Sequence, residues 1–62
     1  MVAVSILMPS CMMSQPHECA DSEEATKLAI SWASQMKSWK GFEAWLLLIE
    51  DNKEISREHI RT

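Results

Sequence analysis

The chain is poor in cysteine, glycine and basic side chains, and it has no long apolar run. Each shortage narrows what it can be. Two cysteines, Cys11 and Cys19, fall short of the four or more that staple small secreted domains. Two reduced thiols in a cytoplasmic protein are therefore expected. No stretch approaches the roughly 18 consecutive apolar residues of a membrane-spanning helix. Met1 to Met8 is short and has no Lys or Arg before it, so no secretory leader is expected. Six basic side chains stand against nine acidic ones, giving a net charge of −3. Phosphate binding needs a basic face, so nucleic acid is not the expected main partner. There are no internal repeats and no low-complexity tract, and 62 residues read as a single domain, 1–62.

What is present is apolar bulk. The hydrophobic fraction is 47%, which is not a disordered composition. The densest run is Phe42-Glu43-Ala44-Trp45-Leu46-Leu47-Leu48-Ile49. On a helix, Phe42, Trp45, Leu46 and Ile49 fall at i, i+3, i+4 and i+7 and form one stripe. Leu47 and Leu48 lie off it. On a strand, both faces are apolar, which suits a strand covered on both sides. The helical reading is taken as the main one.

Asp21 to about Trp39 is the clearest helix. Asp21 and Glu24 have capping-box spacing, and Glu23 and Lys27 are placed for an i,i+4 pair. Ala25, Leu28, Ala29, Trp32, Met36 and Trp39 fall within an arc of roughly 100°. Gly41 matches the residue that follows a helix in a left-handed cap. A turn this short implies a helical hairpin, with Trp32 and Trp39 packed on Phe42, Trp45 or Ile49. Asp51 and Glu54 repeat the capping spacing, which suggests a short third helix. Residues 1–20 read as an apolar arm and loop, in which Met12 and Met13 are adaptable contact groups. The expected fold is mainly α: helices at about 21–39 and 42–50, a possible third, and an extended N-terminal arm over a helical core at 21–62. The alternative is a small α+β unit with strands at 2–8, 43–49 and 54–61.

Catalytic and metal chemistry find little support. Cys11, His17 and Cys19, with His59 as a distant fourth ligand, lack the two close pairs of a zinc site. His17 stands near Cys19, but an activated thiolate needs a preorganised base, and so short a chain has little room for a substrate pocket. No enzyme activity, metal or cofactor is expected. Trp45 and Leu46 to Ile49 are flanked by Glu43, Glu50 and Asp51, which an anionic membrane would repel.

The remaining feature is surplus apolar surface. A domain of about 60 residues hides only about 60% of its unfolded surface. The sequence therefore points to a non-catalytic protein-interaction module: a homodimer, or a small regulator bound to another protein. Trp45, Leu47, Leu48 and Ile30 are the expected contact residues. The alternative is a helix-turn-helix regulator of nucleic acid that uses Lys53, Arg57 and Arg61.

Overall fold

The computed structural model describes residues 1–62. It is mostly antiparallel sheet, 44% strand, with one helix of 26%. The elements run β1 (Val2–Leu7), β2 (His17–Cys19), α1 (Ser22–Lys37), β3 (Glu43–Glu50) and β4 (Lys53–Arg61). The strands are ordered β2-β1-β3-β4, and every pairing is antiparallel. The helix lies across one face and contacts all four strands.

The helical hairpin is thereby overturned. Residues 42–50 are not a second helix, and 53–61 are not a third. They form a β-hairpin in which Glu50 pairs with Lys53 across Asp51-Asn52. Asp51 (φ 52°) and Asn52 (φ 64°) both occupy left-handed backbone. Positive φ at both central residues is what a two-residue hairpin turn needs to match the twist of its strands, and Asp and Asn tolerate it better than most residues. The N-terminal segment is not an arm either. Val2–Leu7 is an inner strand, held by β2 on one side and β3 on the other. No helix-turn-helix exists, because only one helix does.

Why β3 is a strand follows from its place. An inner strand must be apolar on both faces unless one face is left to solvent. Ala44, Leu46 and Leu48 alternate towards the helix, while Trp45, Leu47 and Ile49 point the other way. Leu47 and Leu48 do not fit a helical stripe because they serve opposite faces of a sheet. In β1, Val2, Val4 and Ile6 share the helix side, and Ala3, Ser5 and Leu7 the far side. A bulge between Leu48 and Ile49 leaves Ile55 of β4 without a partner and exposed.

The expected first helix is present, shortened at its C-terminal end. Asp21 caps it by accepting the Glu24 amide at 2.8 Å, and the Glu24 carboxylate accepts the Ala20 amide at 2.8 Å. Glu23 and Lys27 pair at 3.5 Å, both exposed, a contact worth little by itself. The helix stops at Lys37, where the Ser38 hydroxyl donates to the Gln35 carbonyl. Ala25, Ala33 and Met36 are buried, with Leu28, Ala29 and Trp32 packed at their edges. Alanines at this spacing let the helix sit close to the sheet. The core is a single layer between helix and sheet: Val4, Leu46 and Ile60 below, Ala25, Ala33 and Met36 above. Ten of the 62 residues are buried, so each of them carries a large share of the stability.

Candidate functional site

The larger of two surface clefts lies where β1 leaves the sheet and α1 ends. Pro9 stops β1 from continuing, and the chain turns back on itself. The Met8 amide donates to the Met12 carbonyl at 2.8 Å and the Cys11 amide to the Met8 carbonyl at 2.9 Å, with Cys11 at φ 67°. Leu7 and Met13 form a β-bridge. Ser14 pins the returning chain. Its amide donates to the Ile6 carbonyl at 2.8 Å, its hydroxyl oxygen accepts the Ile6 amide at 2.9 Å, and its carbonyl accepts the Ser5 hydroxyl at 2.7 Å. This loop holds Met8, Met12 and Met13 as one wall.

The facing wall is Trp39 and Phe42, in edge-to-face contact with ring centroids 5.0 Å apart. Gly41, at φ 71°, makes the sharp turn between them. Thr62 locks that turn from the far end of the chain. Its hydroxyl accepts the Phe42 amide at 2.8 Å and donates to the Trp39 carbonyl, and its amide donates to the Phe42 carbonyl at 2.9 Å.

Between the walls is a cavity of about 360 Å³, with Ile6 on its inner side. A second, of about 140 Å³, continues from it past Trp32, Gln35 and Met36, and the two share Ile6 and Trp39. The larger is within the size range of ligand sites, at roughly 300–1,000 Å³. Its Ser14 side chain is already hydrogen-bonded. Met12 is 71% exposed, Met13 55% and Trp39 52%. The cleft can thus take up an apolar group; its lining carries no charged side chain, and its polar groups are the Ser14 hydroxyl and the Trp39 indole N–H.

The residues singled out by sequence do not form one patch. Trp45 and Leu47 lie on the sheet face away from the helix, Leu48 faces the helix, and Ile30 points outward from α1 at 64% exposure. Leu47, moreover, is only 4% exposed, so the single chain already covers it. Beside it, the Trp45 ring stacks on His59, whose Nε2 lies 2.7 Å from a Glu43 carboxylate oxygen.

Of the basic residues of β4, Arg57 is ion-paired, whereas Lys53 and Arg61 have only an acid opposite them in the strand register. Lys53 stands opposite Glu50, Arg61 opposite Glu43, and Arg57 makes two 2.7 Å hydrogen bonds to Glu54. Hydrogen bonding to Arg57, aided by its charge, lowers the Glu54 pKa from the ordinary carboxylate value. Acidic and basic residues alternate along this strand, with Glu54 and Glu58 among Lys53, Arg57 and Arg61. Such a strand discourages another chain from pairing along this edge of the sheet.

The cysteines and histidines do not gather into a metal-binding group, although the Cys19 thiol donates to the His17 carbonyl at 3.6 Å. Cys11 is in the Met loop, whereas His17 packs edge-on against Trp32 at 5.9 Å. Burial, then the charges of Glu24 and Asp21, raise the Cys19 pKa.

Sequence reasoning noted Met12, Met13 and a Trp39–Phe42 contact singly but missed the cleft they share. The available signal was the cluster of three methionines around Pro9 next to a strand-forming run. No helix is long and apolar enough to cross a membrane. Comparison with protein-family models, curated proteins and solved structures finds no match.

Proposed function

We propose that the protein is a non-catalytic interaction module whose Met/Trp cleft receives one large apolar side chain from a partner protein. The observation that supports this most directly is the lining: three thioethers, an indole, a phenyl ring and Ile6, with one hydroxyl already engaged. A charged metabolite would find no opposite charge in the lining. Unbranched thioethers can refold around side chains of different shape, which suits docking, and Met and aromatic residues are enriched at protein contacts.

The lysines near Trp39 in the chain narrow the occupant. Lys37 is paired with Glu58 at 3.3 Å, while Lys40, next to Trp39 in the turn, has no ion-pair partner. A partner segment with an acidic residue beside its apolar anchor would suit the unpaired Lys40. Trp45, with Ile49 on the same open sheet face, remains a secondary contact surface. The free thiols Cys11 and Cys19 fit a reducing, cytoplasmic setting.

Selection of displayed random peptides on the purified chain tests the reading. Peptides with an apolar anchor flanked by Asp or Glu are expected, with binding lost in Met12→Glu and Trp39→Ala variants that remain folded. Selected peptides indifferent to both substitutions would remove the cleft from the account. Sedimentation across concentrations shows whether a second copy of the chain is the occupant instead.

A further inference from the structure

We propose that the cleft carries an oxidative off-switch: peroxide converts the Met12 and Met13 thioethers to sulfoxides and so abolishes apolar docking. The inference rests on the docking reading above and adds its regulation.

The chemistry is direct. A sulfur lone pair attacks one oxygen of hydrogen peroxide, an S–O bond forms and the O–O bond breaks. The thioether is oxidised by two electrons and the remaining oxygen leaves as water. A sulfoxide reductase reverses the step, supplying two electrons and two protons and releasing water.

Position makes the oxidation selective. Of the three methionines in the cleft wall, Met12 and Met13 are the exposed ones and Met8 is half-buried, whereas Met36 is only 2% exposed beneath the helix. Met1 is also open to solvent, but its amine is bound to Asp51 at the turn between β3 and β4, away from the Met loop. Oxidation there leaves the cleft untouched.

Lining chemistry makes it consequential. A sulfoxide oxygen is a strong acceptor, and burying it against an apolar anchor without a donor is unfavourable. The lining has two polar groups: the Ser14 hydroxyl, which already accepts the Ile6 amide and lies 3.3 Å from the Ser5 hydroxyl, and the single Trp39 indole N–H, one donor against two sulfoxide oxygens. The oxidised side chains therefore keep their oxygens in water, and the wall can no longer close on an apolar group.

The test uses the full chain and an uncharged fluorescent probe, N-phenyl-1-naphthylamine. Untreated protein binds it. After peroxide, mass mapping finds Met12 and Met13 oxidised before Met36, circular dichroism is unchanged, and affinity falls by about tenfold or more. Methionine sulfoxide reductase restores it. In a Met8→Leu, Met12→Leu, Met13→Leu variant the ratio of treated to untreated affinity stays near one. Equal affinity before and after oxidation of both residues would overturn the switch while leaving docking intact. Failure of the untreated protein to bind the probe would overturn both.

Discussion

The Trp45 indole lies flat on the His59 imidazole, ring centroids 4.8 Å apart and planes 11° from parallel, directly across β3 and β4. The same imidazole is held by Glu43 at 2.7 Å. The stack covers part of the sheet face that the helix leaves open, and so limits the surplus apolar surface there. Replacing His59 by Ala is expected to cost about 0.5–1.5 kcal/mol through the lost aromatic pair. Urea unfolding should show it as a lower midpoint at unchanged slope. An unchanged midpoint would mean that the stack contributes nothing to the fold.

The turn between β3 and β4 gives a sharper test of the architecture. Asn52 sits at φ 64°, where a β-branched residue is strained. Asn52→Val should destabilise by about 1–2 kcal/mol, and Asn52→Gly should cost nothing or add stability. Thermal melts of the three proteins check the order. Were 42–61 two helices, Gly would be the harmful substitution of the two.

The core prediction concerns Ile60, fully buried near the end of the chain. Ile60→Ala should cost about 2–5 kcal/mol, much of what a domain this small has. Loss of the cooperative melt is the expected result, with circular dichroism as the readout.

Acid sensitivity follows from Glu54. Its folded pKa is lowered from 4.5 by Arg57, so the pair's contribution is present above 4.5 and lost as pH falls through the lower folded value. Both groups are on the surface, so the effect is small. The melting difference between wild type and Glu54→Gln should be present at neutral pH and vanish in strong acid.

The thiols should differ in reactivity. Cys11 is exposed on the Met loop, while Cys19 is partly covered and its pKa is raised by burial and by two nearby carboxylates. Iodoacetamide at mildly alkaline pH should label Cys11 first, as mass mapping would show. Faster labelling of Cys19 would contradict its placement at the end of β2.

How much of this was legible in the sequence depends on how local each signal is. Helix α1 was legible because Asp21, Glu24 and the Ala/Leu/Trp stripe are written within one segment. Phe42–Ile49 was not. An inner strand apolar on both faces also satisfies i, i+3, i+4, i+7, and only the presence of β1 and β4 alongside decides between them. Leu47 and Leu48, awkward on a helix, were the readable hint. Asp51-Asn52 looked like a helix cap because Glu54 follows at the right spacing, yet the same pair suits a hairpin turn. His17–Cys19 is too short to signal a strand and exists because β1 offers it an edge. The cleft was invisible for the same reason: Met8, Met12 and Met13 meet Trp39 and Phe42 only after the sheet forms, with Thr62 fixing the second wall.

The most direct test of the central claim is a nuclear magnetic resonance titration of the labelled chain with an apolar-anchored acidic peptide. The account predicts the largest shift changes at Met8, Met12, Met13, Trp39 and Phe42. Changes centred instead on Trp45 and Leu47, or none at the cleft at saturating peptide, would contradict it.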